Sequence, residues 1–173
     1  MFEFDRETTL AVKETLDRAR SLGLMIATAE SCTGGLLSAA LTSVPGSSTV
    51  FERGFVTYSN RAKHELLGVA EDTLQAHGAV SEQTAREMAE GALRHSAADI
   101  AVSITGIAGP GGGTDEKPVG LVHFACAARD GETIALMKLF GDIGRDEVRY
   151  QAVLTALELL RMQMEENYPP AVV

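Results

Sequence analysis

The chain has 173 residues, 45% of them hydrophobic and 23% charged, with a formal net charge of −9. That is an ordinary globular composition, so residues 1–173 read as one domain with its core over about 8–165, large enough to fold without disulfides or metals. The acidic balance and the lack of any run of Lys and Arg exclude a surface built to neutralise phosphate backbones, and nucleic acid is not an expected partner.

The elements follow from pattern and punctuation. Residues 5–22 read as an amphipathic helix on Thr9, Val12, Leu16 and Ala19, with Asp5 to start it and Gly23 to end it. Residues 24–29 form a short apolar run suited to a buried strand. A turn over 30–35 leads into a helix over 36–44, which stops before Pro45-Gly46. Residues 51–58 read as a strand. Asn60 can cap a helix through Leu67, with Gly68 after it. A further helical turn is expected over 71–76, and Ser81 can cap a helix running to about His95. Residues 100–104 read as a strand and 106–118 as a loop rich in Gly and Pro. Residues 119–128 and 132–140 read as a hairpin turning at Arg129-Asp130-Gly131. A last helix is expected over 145–164, with a frayed tail from Tyr168 to Val173. The order α β α β α α β β β α packs naturally as an α/β fold, with helices on both sides of a mostly parallel sheet carrying an antiparallel hairpin.

Several segments carry chemistry. Ala29-Glu30-Ser31-Cys32-Thr33-Gly34-Gly35 lies where a strand gives way to a helix, a favoured place for a reactive side chain. N–H groups at the helix start can hold an anion or a developing oxyanion, and Gly34 and Gly35 would let a ligand approach the backbone. The plainer alternative is that Ser31 merely caps the helix. The segment is not GxSxG. Cys32 is a rival nucleophile, since a thiol near a helix N-terminus is activated, but Cys at such a junction is more often a small core residue. Cys126 alternates with Phe124 and reads as packing. Lys63 can serve as general base if burial lowers its pKa; the alternative is a solvated helix lysine. The glycine-rich loop over 106–118 is neither a P-loop nor a GxGxxG, and can either cradle a phosphate or be a plain surface loop. Arg145 and Arg149 open the last helix against its dipole, which hints at a use elsewhere. The four histidines are scattered and no CxxC is present, so neither a metal nor a cofactor is expected.

Taken together, these stretches resemble the CinA C-terminal-domain family, whose stand-alone members are nicotinamide-nucleotide amidohydrolases. The resemblance rests on Thr28-Ala29-Glu30-Ser31-Cys32-Thr33-Gly34-Gly35, Pro45-Gly46-Ser47-Ser48 and the run from Phe51 through Tyr58-Ser59-Asn60. It continues through Lys63, Gly78-Ala79-Val80-Ser81, Thr105-Gly106-Ile107-Ala108-Gly109-Pro110, Lys117-Pro118-Val119-Gly120, and Gly141-Asp142 followed by Arg145. These segments run in the family's order over residues 8–160. The resemblance implies a three-layer α/β/α sandwich around a mixed sheet of about five strands. It implies deamidation of nicotinamide mononucleotide to nicotinic acid mononucleotide and ammonia by a serine–lysine mechanism. Ser31 would be the nucleophile, Lys63 the base and Tyr58 an assistant. Thr33, Gly34, Gly35, Ser48, Thr105, Gly106, Gly109 and Arg145 would bind or orient substrate, with Arg149 competing for the arginine's role.

Two other readings stand beside this one. The first is a non-catalytic nucleotide-binding or regulatory module of the same fold. The second is a thiol hydrolase using Cys32. With no export signal, no bilayer-length apolar stretch and no spaced cysteine framework, a cytoplasmic protein is expected. A homo-oligomer is expected from the Ala-rich helices, whose apolar faces a second copy could cover.

Overall fold

In the computed structural model, which describes residues 3–169, local sequence signals set most element boundaries. The side chain of Asp5 accepts from the Thr8 N–H and starts α1 (Arg6–Leu22), which Gly23 ends in the left-handed conformation. After β1 (Ile26–Glu30) come α2 (Leu36–Thr42), a 3-10 turn (Ser47–Thr49), β2 (Phe51–Val56), α3 (Asn60–Leu67) and α4 (Glu71–His77). Then follow α5 (Glu82–Arg94), β3 (Ile100–Gly106), β4 (Leu121–Ala128), β5 (Ile134–Leu139) and α6 (Arg145–Asn167). The cap of α3 is Ser59, whose hydroxyl accepts from the Ala62 N–H, and not Asn60, which is already helical. Ser81 caps α5 as its position suggested.

The five strands form one mixed sheet in the order β2-β1-β3-β4-β5. Strands β2, β1 and β3 are parallel, and β4 and β5 add an antiparallel hairpin beside β3. Helices flank both faces, as the α/β reading expects. Alternation along the strands divides the core in two. Ile26, Ile100, Val102, Ile104, Phe124 and Cys126 pack with α1, α2 and α6. Ala27, Ala29, Ala101, Ala125 and Ala127 pack with Leu67 of α3 and Met88 and Ala89 of α5. The second face is almost all alanine, which lets α5 lie close and explains how a chain without tryptophan fills its interior.

The tail departs from expectation. Helix α6 runs to Asn167, Tyr168 packs against the core, and its carbonyl accepts from Arg18. Residues 170–173 of the expected frayed tail lie outside the described residues. Among the described residues no helix is long and apolar enough to cross a membrane.

Register decides where function can sit. Glu30, the last residue of β1, pairs with Val56 on one side and Ile104 on the other. Strands β1 and β2 therefore end level and β3 runs two residues further, so the residues at their carboxyl ends meet at one end of the sheet.

Candidate active site

Ser31 follows β1, Tyr58 follows β2, and Thr105 and Gly106 close β3. Lys63 lies one turn into α3 and reaches back to the strand ends. Its Nζ is 2.8 Å from Ser31 Oγ, 2.8 Å from the Thr57 carbonyl and 3.4 Å from the Tyr58 carbonyl. Only 1% of Lys63 is exposed, so the solvated-lysine alternative fails. Burial lowers its pKa from 10.5 to about 8. With a neutral amine, the two carbonyls take its two N–H donors and leave its lone pair for the Ser31 hydroxyl proton.

Ser31 does not cap a helix. Helix α2 begins at Leu36, its N-cap residue is Gly35, and no side chain caps it from that position. The intervening turn needs Gly34 at φ 58° and Gly35 at φ 101°, a region L side chains rarely adopt. These glycines shape the turn and do not line the cleft. A Cβ on Gly34 would approach the Arg149 guanidinium and one on Gly35 would approach Val56, not open space.

The helix-start reading of the oxyanion site also needs correction. The N–H groups of Leu37 and Ser38 both donate to the carboxylate of Glu30, at 2.8 and 3.0 Å. Leu36 N–H donates to the Thr33 carbonyl and Ala39 N–H to the Gly35 carbonyl. The start of α2 is thus occupied from within. In the turn itself, the N–H groups of Cys32 and Thr33 donate to no backbone acceptor among the described residues.

A cleft of about 260 Å³ opens over Ser31 and Lys63. Cys32, Tyr58, Thr105, Gly106, Gly109 and Arg145 line it, together with Ala79, Val80, Ile107, Ala108, Gly111 and Gly112. Among the described residues no carboxylate does. The Thr105 hydroxyl donates to the Ala79 carbonyl at 2.8 Å and so holds the wall ahead of α5. Arg145 donates to the Gly109 carbonyl at 2.8 Å and to the Tyr58 hydroxyl at 2.9 Å. Its position at a helix start, unfavourable for the dipole, is explained by this reach across the cleft. Arg149 points elsewhere, behind the nucleophile turn, where it donates to the Thr33 carbonyl at 3.1 Å.

The structure therefore brings Ser31, Tyr58, Lys63, Thr105, Gly106, Gly109 and Arg145 to one cleft. It leaves Thr33, Gly34, Gly35 and Ser48 outside the lining. Thr33 is fully buried. Ser48 is exposed in the 3-10 turn that precedes β2, and so stands at the end of that strand opposite Tyr58.

Cys32 touches the cleft but is only 6% exposed, and burial raises its thiol pKa to about 11. A thiol held protonated is a poor nucleophile beside an amine poised near 8. Sequence reasoning missed Glu30. The available signal was a carboxylate closing an otherwise apolar strand, which must find donors when buried. It also missed the apolar wall of Ala79, Val80, Ile107 and Ala108, whose side chains announce no chemistry.

Among the described residues, no three His, Cys, Asp or Glu side chains group so as to hold a metal ion.

The CinA C-terminal domain profile matches residues 8–164. The nicotinamide-nucleotide amidohydrolase PncC of Escherichia coli K12 is 54% identical over 149 residues, covering 86% of this chain and 89% of that one. The enzyme of the same name from Enterobacter agglomerans is 52% identical, with 86% and 90% covered. The crystal structure of the competence/damage inducible protein CihA of Agrobacterium tumefaciens superposes with a TM-score of 0.91 at 53% identity, covering 94% of this chain and 98% of that one.

Proposed function

We propose, from the premise that the chain belongs to the CinA C-terminal domain family, a serine–lysine mechanism for its hydrolysis of an amide. The chain is a nicotinamide-nucleotide amidohydrolase, by kinship to enzymes more than half identical to it over 86% of its length. The 2.8 Å contact between Lys63 Nζ and Ser31 Oγ, in a cleft without carboxylates, carries the mechanistic reading.

The substrate is nicotinamide mononucleotide. Neutral Lys63 takes the Ser31 proton as Oγ attacks the carboxamide carbon. The tetrahedral oxyanion is held by the turn amide of Cys32, the residue after Ser31 that lines the cleft. Protonated Lys63 then gives its proton to the departing nitrogen, and ammonia leaves an ester of nicotinate on Ser31. A water that loses its proton to Lys63 attacks this ester and releases nicotinic acid mononucleotide. No step needs a metal or cofactor. The phosphate end suits Arg145 and the amides of Gly109, Gly111 and Gly112, which line one wall of the cleft. The test is ammonia release from the mononucleotide, the riboside and free nicotinamide. Turnover of the first well above the others supports the reading.

A non-catalytic nucleotide module is the weaker reading, because binding alone gives no return for a buried amine aimed at a hydroxyl. Self-association is favoured by Met137 and Leu139 on the outer strand β5 and by nearby Ile143, which are 55%, 61% and 48% exposed. Light scattering tests it. Both cysteines are buried and unpaired, which suits work in the cytoplasm.

A further inference from the structure

We infer that Glu30 is a positioning residue for the reaction, holding the nucleophile turn and the base clamp in one frame. The inference rests on the Ser31–Lys63 mechanism proposed above. Glu30 is fully buried, one residue before Ser31. Its carboxylate accepts from Leu37 N–H at 2.8 Å, Ser38 N–H at 3.0 Å and the Ser38 hydroxyl at 2.7 Å. Ser38 Oγ also lies 2.8 Å from Thr28 Oγ1 on the same strand. Four residues of β1 and α2 are thereby tied on either side of the turn that carries Ser31.

The backbone of Glu30 ties the base as well. Its carbonyl accepts from the Thr57 N–H at 2.9 Å, and the Thr57 carbonyl accepts from Lys63 Nζ at 2.8 Å. On the other flank, Ser31 N–H donates to the Ile104 carbonyl at 2.9 Å. A shift of Glu30 is therefore transmitted both to Ser31 and to the carbonyls that aim Lys63. Neighbouring β2 makes room for the network with Gly54, where a Cβ would stand 2.5 Å from Ser38 Oγ and 2.7 Å from Thr28 Oγ1.

Catalysis is more sensitive than stability to such a shift, because a displacement of about 1 Å in a reacting group can cost 100-fold in rate. A carboxylate offers acceptors to both N–H groups and the hydroxyl, whereas glutamine must present its own NH2 to a donor.

The test compares Glu30→Gln with wild type by kcat, KM and thermal melting, with Ser31→Ala as control. The expected result is a kcat lower by about 10- to 100-fold with KM changed by less than about threefold, in protein shown folded at the assay temperature. Slower labelling of Ser31 by a fluorophosphonate should accompany it. Wild-type kcat in a folded but less stable Glu30→Gln protein overturns the inference and leaves Glu30 a structural cap. Should Glu30→Gln fail to fold, Ser38→Ala removes one bond to the same carboxylate and spares the backbone donors. A kcat loss of about threefold or more there supports the inference, and an unchanged kcat overturns it. Full activity of Ser31→Ala would instead overturn the serine–lysine reading itself.

Discussion

Lys63 Nζ sits 2.8 Å from Ser31 Oγ, although the two residues are 32 positions apart and follow different strands. The parallel pairing of β1 with β2 makes this contact, since level strand ends place the start of α3 beside the turn after β1. If the pair acts as one unit, removing either partner should cost nearly as much as removing both. Ser31→Ala and Lys63→Ala are each expected to lower kcat at least about 1,000-fold, with the double variant little worse. Lys63→Arg should not restore the rate, because a guanidinium stays protonated. Strictly additive losses in single-turnover kinetics would argue for separate roles.

If Lys63 is the base, its working form is the neutral amine, and its pKa of about 8 should set the pH profile. At pH 7 about a tenth of the enzyme carries the neutral form. The value of kcat/KM is therefore expected to rise about tenfold per unit below pH 8 and to level off above it. A rate that falls between pH 6 and 9 would contradict a lysine base.

The same depressed pKa has a stability consequence. Burial lowers the Lys63 pKa from 10.5 to about 8, so between those values the unfolded chain binds more protons than the folded one. Stability from this group consequently rises with pH across that window and is flat below it. Denaturant melts of wild type and Lys63→Met should show the difference moving in favour of wild type from pH 7 to pH 10.5. The full shift corresponds to at most about 3 kcal/mol, less after discounting for water reaching the cleft. A pH-independent difference would mean that Lys63 is not desolvated in solution.

Cys32 supplies the control for the nucleophile. Its thiol is raised to about 11, leaving about one molecule in 10,000 as thiolate at pH 7. Cys32→Ala is expected to keep at least about half of kcat while losing about 1 kcal/mol of stability through the small void it leaves. Loss of activity without unfolding in this variant would transfer the chemistry to sulfur.

What could be read without coordinates divides along physical lines. Asp5, Gly23 and Ser81 act through hydrogen bonds and dihedrals within a few residues, so their roles as helix boundaries were legible. The apolar run before Ser31 and the alternation of Phe124 with Cys126 marked buried strands for the same reason. Contacts between distant segments were not legible from local pattern. Nothing near Lys63 says that its amine meets Ser31; the residues offered it only as a possible base, and the family resemblance chose it over a solvated lysine. Gly34 and Gly35 looked like an opening for ligand because glycine signals both a strained turn and a close approach. The structure distinguishes the two by what surrounds them. Ser48 was assigned to substrate by the family resemblance alone, and in the fold it stands in the turn before β2, at the opposite end of that strand from Tyr58. Arg145 and Arg149, one helical turn apart, could be separated only by the direction each side chain takes.

That separation yields the last prediction. Arg145 bridges Gly109 and the hydroxyl of Tyr58, a side chain that is 61% exposed, while Arg149 is committed to the Thr33 carbonyl behind the turn. A phosphate entering the cleft would meet the Arg145 guanidinium, whose present partners are a neutral carbonyl and a phenol. It would gain a charge-assisted bond worth about 1.5–3 kcal/mol, or roughly 10- to 150-fold in affinity. Arg145→Ala should therefore raise KM for the mononucleotide by about that factor and leave the riboside, which has no phosphate, nearly unaffected. Preference between the two substrates should collapse. Arg149→Ala should behave differently, weakening the turn that carries Ser31 and lowering kcat for both substrates alike, because its contact does not involve ligand. Measuring kcat and KM for both substrates on both variants separates the roles. If Arg149→Ala erases the phosphate preference and Arg145→Ala does not, the phosphate site lies on the other side of the nucleophile turn.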